Sequence, residues 1–390
     1  MPRKRTRRGS HRATTPAVSL IFVFLTLTQV SVASAHGGHN SGVLSQWHGA
    51  LLILVGVATL GGAVVLKRTD RVSPTTALYG VFVGIAVAVV GTILFDGLAP
   101  DPTYTASSMP FPRSWYQPIG LSVGLLIATA SLVVGWLRWR SRPRYTFLGI
   151  MMGLWISYPY LLPGVRGYTH PFGYGIVLGT PVLVGYIVWK DAGDVLREAL
   201  RDPVARRFGI GVGAVIALFF LSMTGYLTFF PEEGAPHDLT VATVPAVYQL
   251  VMWPTAEIFV PRIPFFLAVS PAQIVIVGTL STLIGLNAAL IARYWRVEGQ
   301  AQAGLVEGTG GSAAVVGTCT CGCCGPFVAK IAVLAAGPAV AAPLYWLFVD
   351  SASPLSAMFI VGSLVLFSGS LVYAVESAQW SGETTTVASA

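Results

Sequence analysis

The chain has 390 residues, 54% of them hydrophobic and only 10% charged, with a formal net charge of +8. A water-soluble domain carries about 25% charged residues, so composition excludes an ordinary soluble fold and points to the membrane. The positive charge does not signal nucleic-acid binding, because it sits in short loops between apolar runs, where it sets topology.

Residues 1–35 open with the basic run Pro2-Arg-Lys-Arg-Thr-Arg-Arg8, continue with an apolar core from Ala17 to Leu27, and close on Ala33-Ser34-Ala35. That is the plan of a signal peptide, with cleavage expected before His36; the alternative is an uncleaved signal anchor. Apolar stretches long enough to cross a bilayer of about 30 Å follow near 46–67, 75–98, 118–138, 145–163, 171–190, 208–230, 272–294, 327–349 and 355–376. With residue 36 outside and alternation at each span, Lys and Arg fall almost entirely in inner loops; only Arg113, Arg166 and Arg262 fall outside. This bias gives a multi-pass protein of the cell membrane with its mature N-terminus outside and its C-terminus inside.

Between the spans, residues 191–207 read as a short amphipathic helix on the inner surface, with Val195, Leu196 and Leu200 on its apolar side. Segment 244–268 contains Pro254, Pro261 and Pro264 and has both flanks outside. It is expected to be a re-entrant or interfacial hairpin, broken backbone being tolerated at depth where protein covers it. The pairs Gly80/Gly84 and Gly175/Gly179 permit close helix packing. Trp47, Trp115, Tyr116, Trp139, Trp295 and Trp346 lie near span ends and read as interfacial anchors. Thus residues 36–296 form a membrane domain of seven spans plus the re-entrant segment. Residues 297–326 are an inner linker, 327–376 a two-helix hairpin interrupted at Gly337-Pro338 and Pro343, and 377–390 an inner tail.

The four cysteines of the chain all lie in Cys319-Thr-Cys321-Gly-Cys323-Cys324, directly before Gly325-Pro326. The spacing is too tight for a zinc knuckle and suits Cu(I), Hg(II) or Cd(II), which accept two or three thiolates in loose geometry. The helix start beyond the cluster and the nearby Lys330 favour thiolate over thiol. Locally, Cys323-Cys324-Gly325-Pro326 resembles the vicinal pair of mercuric-ion transporters of the mercury-resistance type. Acylation of these juxtamembrane cysteines is the competing reading.

Five of the six histidines, His36, His39, His48, His170 and His237, are expected outside. A mature terminus at His36 offers an amine and an imidazole from one residue, with His39 or His48 as a further nitrogen ligand. Such a terminal histidine resembles the histidine brace of copper monooxygenases and of some periplasmic copper-binding proteins. Asp96, near the outer end of its span, reads as an interfacial, hydrated carboxylate or as an ion or proton site. Glu257 and Arg262 read as a pair holding the re-entrant segment. No phosphate-cradling glycine loop occurs, and no His pair is spaced for haem, so neither nucleotide nor haem is expected.

The fold class is therefore an all-α polytopic bundle of about nine transmembrane helices after a signal peptide. The functional expectation is a protein handling copper or another thiophilic metal ion, taken up by His36, His39 and His48 and passed to Cys319, Cys321, Cys323 and Cys324. It would act as a permease or a delivery factor; no catalytic residues are assigned. Its partners would be membrane lipid, the metal ion, and other membrane subunits or a metallochaperone, with no nucleic acid. The alternatives are a noncatalytic scaffold subunit of a larger membrane complex and a membrane thiol-redox protein.

Overall fold

A computed structural model describes residues 46–98, 112–162, 164–229, 238–248, 250–261, 265–297, 325–337, 343–344 and 353–387. Its helices are α1 (Gln46–Arg68), α2 (Pro74–Leu98), α3 (Tyr116–Arg138), α4 (Pro143–Leu161), the single turn α5 (Val165–Tyr168), α6 (Pro171–Arg201), α7 (Pro203–Met223), α8 (Pro271–Val297), α9 (Gly325–Ala336) and α10 (Pro354–Val387). Between α7 and α8 lie β1 (Leu227–Thr228), β2 (Thr240–Tyr248), β3 (Val251–Val260) and β4 (Phe265–Val269).

Proline marks most of the helix starts. At the first helical position it gives up no hydrogen bond and presets φ, and the residue before it is free to cap. Ser73 Oγ accepts from Thr76 N at 3.2 Å, Asp202 Oδ1 from Val204 N at 3.0 Å, and Ser353 Oγ from Leu355 N at 3.3 Å. Ser270 and Gln273 close a reciprocal capping box ahead of α8, at 3.3 and 3.4 Å. At the other end of α7, Gly225 at φ 76° stops the helix, with Tyr226 N donating to Leu221 O and Gly225 N to Ser222 O. This left-handed cap turns the chain into the sheet.

Seven helices among the described residues are long and apolar enough to cross a membrane. The chain is therefore a membrane-embedded helical bundle, multi-pass by helix length and composition. The two expected spans outside that set are α4 and α9. Helix α4 carries Trp155, Tyr158 and Pro159 and lies largely buried against its neighbours. Within 327–349 the described residues hold the 12-residue α9, which ends before Gly337 at φ 84°, where an interruption was expected, and a helical piece at 343–344; the rest of that stretch lies outside the described residues. Twelve residues rise about 18 Å, well short of the ~30 Å of hydrocarbon.

The helices pair as antiparallel hairpins, α1 with α2, α3 with α4, and α7 with α8, and glycine sets their separation. A Cβ on Gly49 would lie 2.5 Å from Phe95 N, and one on Gly56 2.5 Å from Ala88 N. Gly91 and Gly84 meet α1 in return, at Ile53 N and Leu60 N. Gly124 and Gly153 face each other's carbonyl oxygens at 2.6 and 2.5 Å, as do Gly209 and Gly285 at 2.6 and 2.7 Å. Lipid and apolar side chains are equally oily, so such close backbone contact is what drives association in a membrane. The expected small-residue contact holds at Gly80/Gly84 but not at Gly175/Gly179, where Gly175 has nothing within 4 Å.

The main core joins α4, α6, α7, α8 and α10 around Trp155, Tyr158, Phe220, Leu280, Leu364 and Phe367. Asn287 clamps α8 to α10: its Nδ2 donates to Leu283 O at 2.9 Å and Phe367 O at 3.2 Å, while Ser370 Oγ donates to its Oδ1 at 3.2 Å. Of the expected interfacial aromatics, Trp47 and Trp115 are exposed, whereas Tyr116 and Trp295 are buried in helix contacts.

Two segments depart from expectation. Residues 191–201 do not form a separate surface helix; α6 runs unbroken from Pro171 to Arg201. No helix breaker follows Lys190, and Ala192, Leu196 and Ala199 bury against the bundle. The chain turns only at Asp202-Pro203. Segment 244–268 is a hairpin, but one made of strands. The order is β1-β4-β3-β2, antiparallel throughout, so a small sheet joins the otherwise helical architecture. Valine, threonine and aromatic residues favour strands here. The prolines are accommodated because Pro245 pairs with Pro254, outside the part of β3 that pairs with β4.

The bundle has two unlike ends. Helices α2 and α7 run in the same direction, with Ala77, Leu78 and Ala205 in one cluster and Phe82 against Gly211. Their C-terminal ends therefore share a level, the level from which the sheet springs. The basic helix ends lie opposite.

Candidate functional site

At the basic end, charges meet across helices. Arg144 grips Asp191 with two nitrogens, Nε to Oδ2 at 2.8 Å and Nη2 to Oδ1, and Tyr145 donates its hydroxyl to Oδ2 at 2.8 Å. The Arg144 and Asp191 side chains are 16% and 7% exposed, so the pair is largely desolvated. Arg142 pairs with Glu376, Arg293 with Glu198, and Arg296 with Asp202. Lys67 stands 4.6 Å over the Trp295 ring. Hydrogen bonding to Glu376 raises the pKa of Arg142, and hydrogen bonding to Asp191 raises that of Arg144, so both stay cationic. These partners tie the α3–α4 loop to α6 and α10, and α8 to α6 and α7. The arrangement is structural.

At the sheet end the chemistry is different. Asp96 is near the C-terminal end of α2, and Lys330 on α9 reaches it. Lys330 Nζ donates to the Asp96 main-chain carbonyl at 2.9 Å and stands 3.4 Å from Asp96 Oδ1. Both side chains are mostly buried, 11% exposed for Lys330 and 17% for Asp96. Asp96 is thus held by a lysine within the protein rather than standing as a hydrated interfacial carboxylate, and Lys330 answers a carboxylate. A helix entering at the basic end and running 327–349 would have left Lys330 near that end. Instead it meets the opposite end of α2, through a helix that contacts α2 and α7. Val328 packs on the main core.

Also at the sheet end, a cavity of about 310 Å³ lies between the sheet and α6, lined by Tyr174, Thr243, Pro245, Met252, Trp253 and Pro254, with Thr169. Tyr174 donates its hydroxyl to Met252 O, and its ring meets Trp253 edge-on with centroids 4.9 Å apart. The lining is chiefly apolar and offers little chemistry beyond packing.

Of the expected metal ligands, His48 is described: it is exposed near the start of α1. Its neighbour Gly49 lies against Phe95, which puts His48 and Asp96 in one layer of the α1–α2 hairpin. His36, His39, Cys319, Cys321, Cys323 and Cys324 lie outside the described residues, as do His237 and Arg262. His170 caps α6, its Nδ1 accepting from Phe172 N at 3.2 Å. Among the described residues no three His, Cys, Asp or Glu side chains come together as a metal site. The partnership of Asp96 with Lys330 escaped the sequence reading. Its signal was there, since opposite charges inside two apolar runs are expected to find each other. Compared with protein-family models, with curated proteins and with solved structures, the chain matches none.

Proposed function

We propose that this chain is a membrane protein handling a soft transition-metal ion of the copper type, as a permease or as a delivery factor. The imidazoles of His36, His39 and His48 receive the ion, and the thiolates of Cys319, Cys321, Cys323 and Cys324 accept it. In this reading the sheet end faces outside and the basic end inside, following the Lys/Arg bias.

One observation supports it above the others. Helix α9, bonded directly to Cys324, is a half-length helix ended by Gly337 and held by a partly buried ion pair at the end where His48 stands. Broken helices bearing charge at depth are how many membrane transporters build an ion path.

The test is metal analysis of the purified full chain and of a variant with all four cysteines changed to Ser. Thiolate is a soft anionic ligand and the serine hydroxyl a poor one. Stoichiometric Cu(I) or Hg(II) binding should be lost while helical content is retained. Equal metal content in the two proteins would sink the reading, and loss of a thioester-linked lipid would point to acylation. A scaffold subunit of a larger complex has its own support. Strand β2 is the outermost strand of the sheet and exposes Val241, Val244 and Val247, an edge of the kind that partners extend.

A further inference from the structure

We infer that β2 lies in the lipid–water interface at the sheet end, its valines covered by the ester zone of the membrane and not by a protein partner. This goes beyond the soft-metal reading and does not rest on it. Among the described residues no strand follows β2 on its outer side. Val241 is 70% exposed, Val244 40% and Val247 44%, and Leu239 just before the strand is 65% exposed. From Leu239 to Ala256 the chain has no Asp, Glu, Lys, Arg or His. Sheet edges that face water are commonly blunted with charge, lysine above all; this one carries none.

The two faces of the strand favour lipid over protein. Side chains alternate along a strand, so Val241 and Val247 share one face of β2 and Val244 stands on the other. A further strand added at the edge would cover neither face, whereas lipid surrounds both. The backbone sets the depth. Open sheet edges do not occur in the hydrocarbon, where their amides find no partner, so β2 belongs at the level of the ester and headgroup oxygens and their water. Its edge suits that level. Pro245 pairs with Pro254, and two prolines cannot exchange amide hydrogen bonds, so theirs is a non-hydrogen-bonded pair of the ladder. The row turned to the open side is then Val241, Thr243, Pro245 and Val247, in which the proline has no donor to satisfy.

The test puts one nitroxide per chain on Val241→Cys, Val244→Cys or Val247→Cys, in the full chain with its four native cysteines changed to Ser, in phosphatidylcholine nanodiscs. Collision with O₂, which concentrates in lipid, is compared with collision with a water-soluble nickel chelate. Leu126 on the spanning helix α3, 66% exposed, is the lipid reference. Asp194, whose side chain is 96% exposed, is the water reference. At all three valines the ratio of O₂ to nickel collisions should lie closer to that at Leu126 than to that at Asp194. A ratio like that at Asp194 would put the strand in water and overturn the inference. Low collision with both reagents would mean cover by a subunit or a second copy, and would overturn it too. A chain that keeps its cysteines gives a second reading. Benzoylphenylalanine in place of Val241, irradiated in the same nanodiscs, should add the mass of phosphatidylcholine; a crosslink to protein alone, or no lipid adduct, would count against the inference. Metal content enters neither readout, so the result stands apart from the fate of the soft-metal reading.

Discussion

The two ends of the bundle treat charge in opposite ways. At the basic end the ion pairs join long helices and the turns between them, and Asp191 takes a two-pronged guanidinium and a phenol at once. At the sheet end Lys330 rides on a helix too short to span. A charge locked from several sides fixes helices in place. At the sheet end the ammonium meets the carbonyl and the carboxylate of a single residue.

That contrast can be broken first at Asp191. Asp191→Asn keeps the shape but leaves the Arg144 guanidinium buried without its counter-charge, a change that costs about 3–5 kcal/mol. Thermal unfolding in detergent should show a large loss, and Arg144→Met added to Asp191→Asn should recover much of it. A melting curve like the wild type's for the single variant would mean that the basic end is no firmer than the sheet end. A smaller effect belongs to the middle of the bundle. Asn287→Leu removes the clamp between α8 and α10, and polar contacts of this kind contribute up to about 1.7 kcal/mol in membranes. Unfolding of the purified variant should register a loss of that size; no change would show that packing alone holds α10. The smallest effect is expected at the start of α8, on the sheet side. Ser270→Ala removes one half of the capping box and should cost about 1 kcal/mol. It should leave hydrogen exchange over 325–336 unaltered, because α9 is fastened elsewhere.

Helix existence was largely legible in the sequence, and several helix starts carry a local signal. Ser73-Pro74, Asp202-Pro203, Ser270-Pro271 and Ser353-Pro354 each write a cap and a first helical residue into adjacent positions. Apolar length does the rest. The strands were less legible, because Pro245, Pro254, Pro261 and Pro264 argue against a ladder until one knows which edges need no donor. The continuation of α6 to Arg201 was missed because a change from apolar to charged residues reads as a boundary, although nothing in Asp191-Ala-Gly-Asp-Val-Leu stops a helix. For the candidate site, sequence marked Asp96 and Lys330 separately as charges inside apolar runs. Their meeting depends on where a broken helix re-enters the bundle, over 200 positions away in the chain, which no local pattern encodes.

The glycine seam of α1 and α2 has a mechanical consequence. Gly49 and Gly56 on one helix and Gly84 and Gly91 on the other bring the two backbones together over most of their length, so the hairpin resists internal shear and moves as one rod. Helix α2 alone has 25 residues, about 37 Å. One tip carries the oxygens that hold Lys330. At the far tip Lys67 rests over the Trp295 ring, beside the helix whose Arg296 grips Asp202. A small tilt of the rod at its first tip would therefore arrive as a displacement at the second.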